Sequence, residues 1–182
     1  PVAVDILDDS ECSHCTGLEV VAGGMIYAVN LGNGSADNGS LTKVRDIKDA
    51  SVGGTEFRVK PTDENWSSTS VADFDLDGHL DVIASGADKN GRTTIFYWNV
   101  HKDEVKTFRP QPNWGKGAGR PNIADFDGDG KLNITFVSGS KLFGLDENLN
   151  QMWAVTIREN TSGFTGTSVF DVNGDGKYEI VY

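Results

Sequence analysis

One nine-residue pattern, Asp-x-Asp/Asn-x-Asp-Gly-x-x-Asp/Asn/Glu, occurs three times in this chain and each time runs straight into β-branched and aromatic residues. It lies within residues 71–84 (VADFDLDGHLDVIA), 123–136 (IADFDGDGKLNITF) and 169–182 (VFDVNGDGKYEIVY), which align without gaps. An acidic loop that recurs at a spacing of about 50 residues restricts the fold to an array of similar units. Because the loop leads into VIAS, ITFV and IVY rather than an amphipathic helix, it belongs between strands.

A fourth, degenerate copy opens the chain. Residues 4–7 (VDIL) begin like the others and residues 18–23 (LEVVAG) match the later half, so Glu19 aligns with Asp81, Asn133 and Glu179. Between them the loop is replaced by the insertion DDSECSHCTG at residues 8–17. After each copy come several short apolar runs, such as TTIFYWNV and MWAVTI, bounded by Gly, Asn and Asp, which is the signature of strands joined by turns. The expectation is an all-β chain of β-propeller blades, in about four units (1–60, 61–112, 113–160 and a partial 161–182). Propellers close with four to eight blades, so this ring is incomplete. Its remaining blades are expected from the same or another chain, and Pro1 in place of Met fits a chain cut from something longer.

The loop chemistry follows from the spacing. Alternate side chains in a tight turn converge on one point, and a glycine at the sixth position allows the turn to wrap an ion. The first copy offers Asp73, Asp75, Asp77 and Asp81; the second Asp125, Asp127, Asp129 and Asn133; the third Asp171, Asn173, Asp175 and Glu179. The seventh residues, His79, Lys131 and Lys177, are expected to add a backbone carbonyl. Such all-oxygen sets suit Ca²⁺, which takes six to eight oxygens; Mg²⁺ fits less well and Zn²⁺ poorly. About three structural Ca²⁺ sites are therefore expected, and no catalytic residue.

These repeats resemble the FG-GAP/VCBS family, which includes the heads of integrin α-chains. The resemblance implies a Ca²⁺-binding propeller and an extracellular or cell-surface location. The later units also resemble those of large secreted or surface proteins of bacteria. The first copy lacks the loop aspartates, so no Ca²⁺ site is carried onto it.

Composition removes several classes of function. The formal net charge is −11, which argues against nucleic acid and against anionic lipid. The most apolar run, VVAGGMIYAV, is far shorter than the ~20 residues of a spanning helix, so no membrane insertion is expected. The two cysteines, Cys12 and Cys15, flank His14. They suit a local disulfide in an exported protein, a redox pair, or a Zn²⁺ site with Glu11 or Asp9, and an oxidising location favours the disulfide. Trp66, Trp98, Trp114 and Trp153 belong either to a sugar-binding face or to the packing of the units. The function expected is non-catalytic binding of a protein or glycan ligand in adhesion. A rhamnogalacturonan-lyase-like enzyme and a structural segment of a large surface or secretion assembly are the alternatives.

Overall fold

The computed structural model describes residues 1–12, 14–32, 39–58, 68–111, 117–158 and 165–182. Strands β1 (Val2–Val4), β2 (Glu19–Ala22), β3 (Met25–Asn30) and β4 (Ser40–Asp46) form the first sheet, followed by a single 3-10 turn at Ile47–Asp49. Strands β5 (Ser68–Ala72), β6 (Asp81–Ala87), β7 (Thr93–Asn99) and β8 (Glu104–Phe108) form the second. Strands β9 (Asn122–Ala124), β10 (Asn133–Ser138), β11 (Lys141–Leu145) and β12 (Gln151–Thr156) form the third. A two-stranded sheet of β13 (Ser168–Phe170) and β14 (Glu179–Val181) follows, and the described residues contain no α-helix.

Each four-stranded sheet is an antiparallel meander with its strands in chain order. The first strands adjoin one another: β1 lies by β5, β5 by β9, and β9 by β13. Side chains tie these neighbours together. Thr69 Oγ1 accepts from Gly23 N at 2.8 Å, Ser70 Oγ donates to Pro121 O at 2.6 Å, and Asn122 Nδ2 donates to Thr167 O at 2.9 Å. The described residues are all-β and form four antiparallel sheets, none of them closed on itself.

The second sheet shows what holds the array together. Every residue of β6 and β7 is buried, so neither face meets water. Successive side chains point to opposite faces. Val82, Ala84, Phe96 and Trp98 therefore join Val21 and Ile26 of the first sheet, Leu7 after β1 and Ile47 of the 3-10 turn in one apolar cluster. Ile83, Ile95 and Tyr97 join Ile134, Phe136, Phe143 and Leu145 of the third sheet in another. A smaller cluster of Val137, Leu142 and Ile157 meets Ile180 of the last sheet. Between the first two sheets the Phe57 ring lies over Gly86, where an added Cβ would come within 2.7 Å of the ring. Trp98 is part of this core, and Trp153 packs over Gly144. Trp66 and Trp114 lie outside the described residues.

One buried carboxylate pins the second sheet at the β6–β7 end. Asp88 Oδ1 accepts from the N–H groups of Asn90 (2.9 Å) and Arg92 (3.1 Å), while Oδ2 accepts from Arg92 Nε (2.8 Å) and Arg109 Nε (3.0 Å). Burial alone would raise its pKa, but the Arg92 and Arg109 bonds and the two amides outweigh this and hold it at about 2. A carboxyl held below its unfolded value stabilises the fold above that value. Its contribution is lost as pH falls from about 4 toward 2, so Asp88→Asn should flatten that part of the acid-unfolding curve.

Phe136 carries the second interface: its ring stacks on Phe143 with centroids 5.1 Å apart and meets Phe108 edge-on at 6.1 Å. Phe136→Ala is expected to cost about 3–5 kcal/mol, measured as a lower urea midpoint at fixed Ca²⁺.

Candidate metal centre

Each acidic loop joins the first strand of a sheet to its second, and the same two hydrogen bonds shape all three. The first aspartate accepts from the sixth-position glycine: Asp73 from Gly78 N at 3.0 Å, Asp125 from Gly130 N at 2.9 Å, Asp171 from Gly176 N at 2.8 Å. The ninth residue accepts from the second N–H: Asp81 from Phe74 at 3.0 Å, Asn133 from Phe126 at 3.1 Å, Glu179 from Val172 at 2.8 Å. Gly78, Gly130 and Gly176 have φ between 83° and 93°, the left-handed region that glycine enters without cost. The fourth position is left-handed too. Gly128 and Gly174 occupy it in two loops, and Leu76 holds it at φ 59° in the first.

The unit without a loop motif keeps the closing bond. Buried Glu19 accepts from Ile6 N at 3.1 Å and Leu7 N at 3.2 Å through Oε2. Here the insertion is closed by a Cys12–Cys15 disulfide. Both sulfurs are thereby committed to each other and are not free for Zn²⁺.

The turns bring Asp73, Asp75 and Asp77 together, with one oxygen of each within 4.8 Å of the others, and Asp125, Asp127 and Asp129 likewise. The seventh residues use their N–H groups inside the loop: His79, Lys131 and Lys177 donate to Asp77, Asp129 and Asp175 at 3.0, 2.9 and 2.9 Å. In the third loop Asn173 Nδ2 turns toward Glu179 Oε1 at 3.2 Å. Asp81 is not among the acids gathered there, and both it and Asn133 are buried.

Two observations bear on whether a hard cation fits the first loop. Lys102, from the β7–β8 turn, places its ammonium 2.5 Å from Asp75 Oδ2 and 2.8 Å from Asp77 Oδ2, a positive charge standing between two loop carboxylates. The Lys102 bond holds the Asp77 carboxyl down at about 2, and the bonds to Asp75 and Asp77 raise the lysine. The second observation is Asp81. Its Oδ2 also accepts from Tyr97 Oη at 3.3 Å, while its Oδ1 is buried with no partner. Burial pushes this carboxyl up to about 7, and the charges of Asp75 and Asp77 add to the rise. Oxygen donors in excess, one of them buried and unpaired, are a set that Ca²⁺ suits.

Sequence reasoning missed the partners that reach these loops from elsewhere. Asn99 Nδ2 donates to Asp75 Oδ2 at 3.0 Å, Lys102 comes from the same hairpin, and Glu147 draws Lys131 Nζ to 2.7 Å. Only the fold brings these turns beside the loops. Between the second and third sheets, next to the first two loops, lies a cavity of about 440 Å³ whose lining includes Phe74, Tyr97, Lys102, Lys106, Lys131 and Asn148.

Residues 73–136, from the first intact loop through the second and into β10, match the model of the FG-GAP-like repeat. The chain carries an FG-GAP-like repeat. No curated protein and no solved structure matches the chain significantly. The matched FG-GAP-like stretch therefore contains both carboxylate triads and the hairpin that supplies Asn99 and Lys102. No helix of the described residues is long and apolar enough to cross a membrane.

Glu19→Ala would leave two buried N–H groups unpaired at about 1–3 kcal/mol each. A total loss of about 2–6 kcal/mol in chemical unfolding is expected, with Glu19→Gln milder because it keeps one acceptor oxygen.

Proposed function

We propose that this chain is a calcium-stabilised stretch of β-propeller blades, a non-catalytic module that binds a protein or glycan ligand at the cell surface or outside the cell. The observation that carries the reading is the gathering of Asp73, Asp75, Asp77 and of Asp125, Asp127, Asp129 into two oxygen-rich turns at equivalent places in successive sheets. Meanders in chain order with adjoining first strands are how blades line a common axis, which supports the propeller. The ion would be held by the three loop aspartates, with Asp81 Oδ1 as a further donor in the first loop, and would offset carboxylate repulsion there. Its role is to stiffen the connection between the first and second strands of a sheet.

The disulfide supports an oxidising location. The cavity between the second and third sheets has the size and mixed lining of a ligand cleft. Its lining mixes Lys102, Lys106 and Lys131 with Asp75, Glu104 and Glu147. Further blades would come from the same or another chain, as in a large bacterial surface protein.

Chelation with EDTA is expected to lower the melting temperature and Ca²⁺ to restore it. At a hundred times Kd each site adds about 2.7 kcal/mol. Asp127→Ala should remove part of the Ca²⁺-dependent gain while leaving the EDTA-treated melt nearly unchanged. A melting curve indifferent to Ca²⁺ in the parent protein would overturn the reading.

A further inference from the structure

Beside the first repeat loop, a group of side chains of different chemistry converges where the first two sheets meet. Asp8 and Glu11 of the N-terminal insertion approach His101 of the β7–β8 turn, with one ligand atom from each within 4.8 Å of the others. His101 Nε2 lies 3.9 Å from Asp8 Oδ2, and Nδ1 lies 4.0 Å from Glu11 Oε2.

Several contacts hold these groups in place. Asp8 and Glu11 close on each other: Glu11 N donates to Asp8 O at 2.8 Å and Asp8 N to Glu11 Oε2 at 2.8 Å. The Cys12–Cys15 disulfide locks the next turn. Arg45 Nη2 takes Glu11 Oε1 at 3.4 Å, which leaves Oε2 toward the histidine. The His79 ring lies flat against that of His101, with centroids 3.6 Å apart and planes 16° apart, and so fixes the plane of the ring. Glu11 and His101 also open onto a cavity of about 410 Å³ that Arg45, Asp46 and Asp103 help to line.

We propose that Asp8, Glu11 and His101 form a second kind of cation site, selective for a transition-type divalent ion such as Zn²⁺. An imidazole among carboxylates favours such ions, whereas the all-oxygen loops favour Ca²⁺. The ion takes one ring nitrogen of His101 and an oxygen from each acid, and its remaining position faces the cavity and solvent. Tetrahedral ligands at the usual Zn²⁺ distances stand about 3.3 Å apart. Asp8 closes the gap by a change of rotamer, since its side chain is 66% exposed. The unit that lost the acidic loop thus holds an ion by a disulfide-locked turn instead.

The test is calorimetric titration of Zn²⁺ into the oxidised protein in excess Ca²⁺, repeated with Co²⁺ to read its visible absorption. A single saturable site is expected. His101→Ala should abolish it, Glu11→Gln and Asp8→Asn should each weaken it, and His79→Ala should weaken it about tenfold, as loss of an orienting neighbour does. His14→Ala should leave it unchanged. No saturable uptake by the parent protein, uptake that survives His101→Ala, or uptake lost with His14→Ala would overturn the site. If His101→Ala unfolds, the exposed Asp8→Asn variant, with its melt checked, decides in its place: unchanged Zn²⁺ affinity would overturn the site. Because the readout is the dependence on His101 and Asp8, it stands apart from whether the repeat loops take Ca²⁺.

Discussion

The second backbone N–H of each connecting loop is received by the side chain that opens the second strand, and the remaining local geometry depends on this. Asp81, Asn133, Glu179 and Glu19 make that bond in four successive units, although they differ in charge and length. The bond draws the end of one strand onto the start of the next and lets the intervening residues curl over it. In the first two acidic nonapeptides, three carboxylates are left on one side of a turn too short to spread them. In the first unit the same closing bond is made across a much longer insertion, and the disulfide supplies the constraint that loop length removes.

Crowded carboxylates need a positive partner, and the protein supplies different ones at different loops. In the first loop Lys102 enters between Asp75 and Asp77. In the second, Lys131 is hydrogen-bonded to Glu147, and the described hydrogen bonds to Asp125, Asp127 and Asp129 come from backbone amides. Loops that look alike in sequence therefore present different local charge.

The repeat, the strands that flank it and the identity of the loop carboxylates were legible in the sequence because each is encoded within a few consecutive residues. The alignment of Glu19 with Asp81 was legible for the same reason, since it follows from the position of one acid before a β-branched run. Asn99, Lys102 and Tyr97 lie well downstream of the loop they serve, and nothing in their own neighbourhood marks them. The burial of Asp81 was hidden because it depends on Tyr97 and on the third sheet packed above it. His101 lies in a polar turn that carries no motif, and only the fold sets it beside Asp8 and Glu11. Trp98 reads as packing or as a sugar platform, and the position of the first sheet decides for core.

The two-sided burial of β6 and β7 has a consequence for how this chain can vary. Val82 and Ile83 are adjacent in sequence but answer to different neighbours, one to Leu7 and Ile26, the other to Phe136 and Phe143. Each codon along these strands is thus under selection from the opposite side to the one before it. Compensating changes should then sort by parity within β6 and β7: even-numbered positions drift together with the sheet before, and odd-numbered positions with the sheet after.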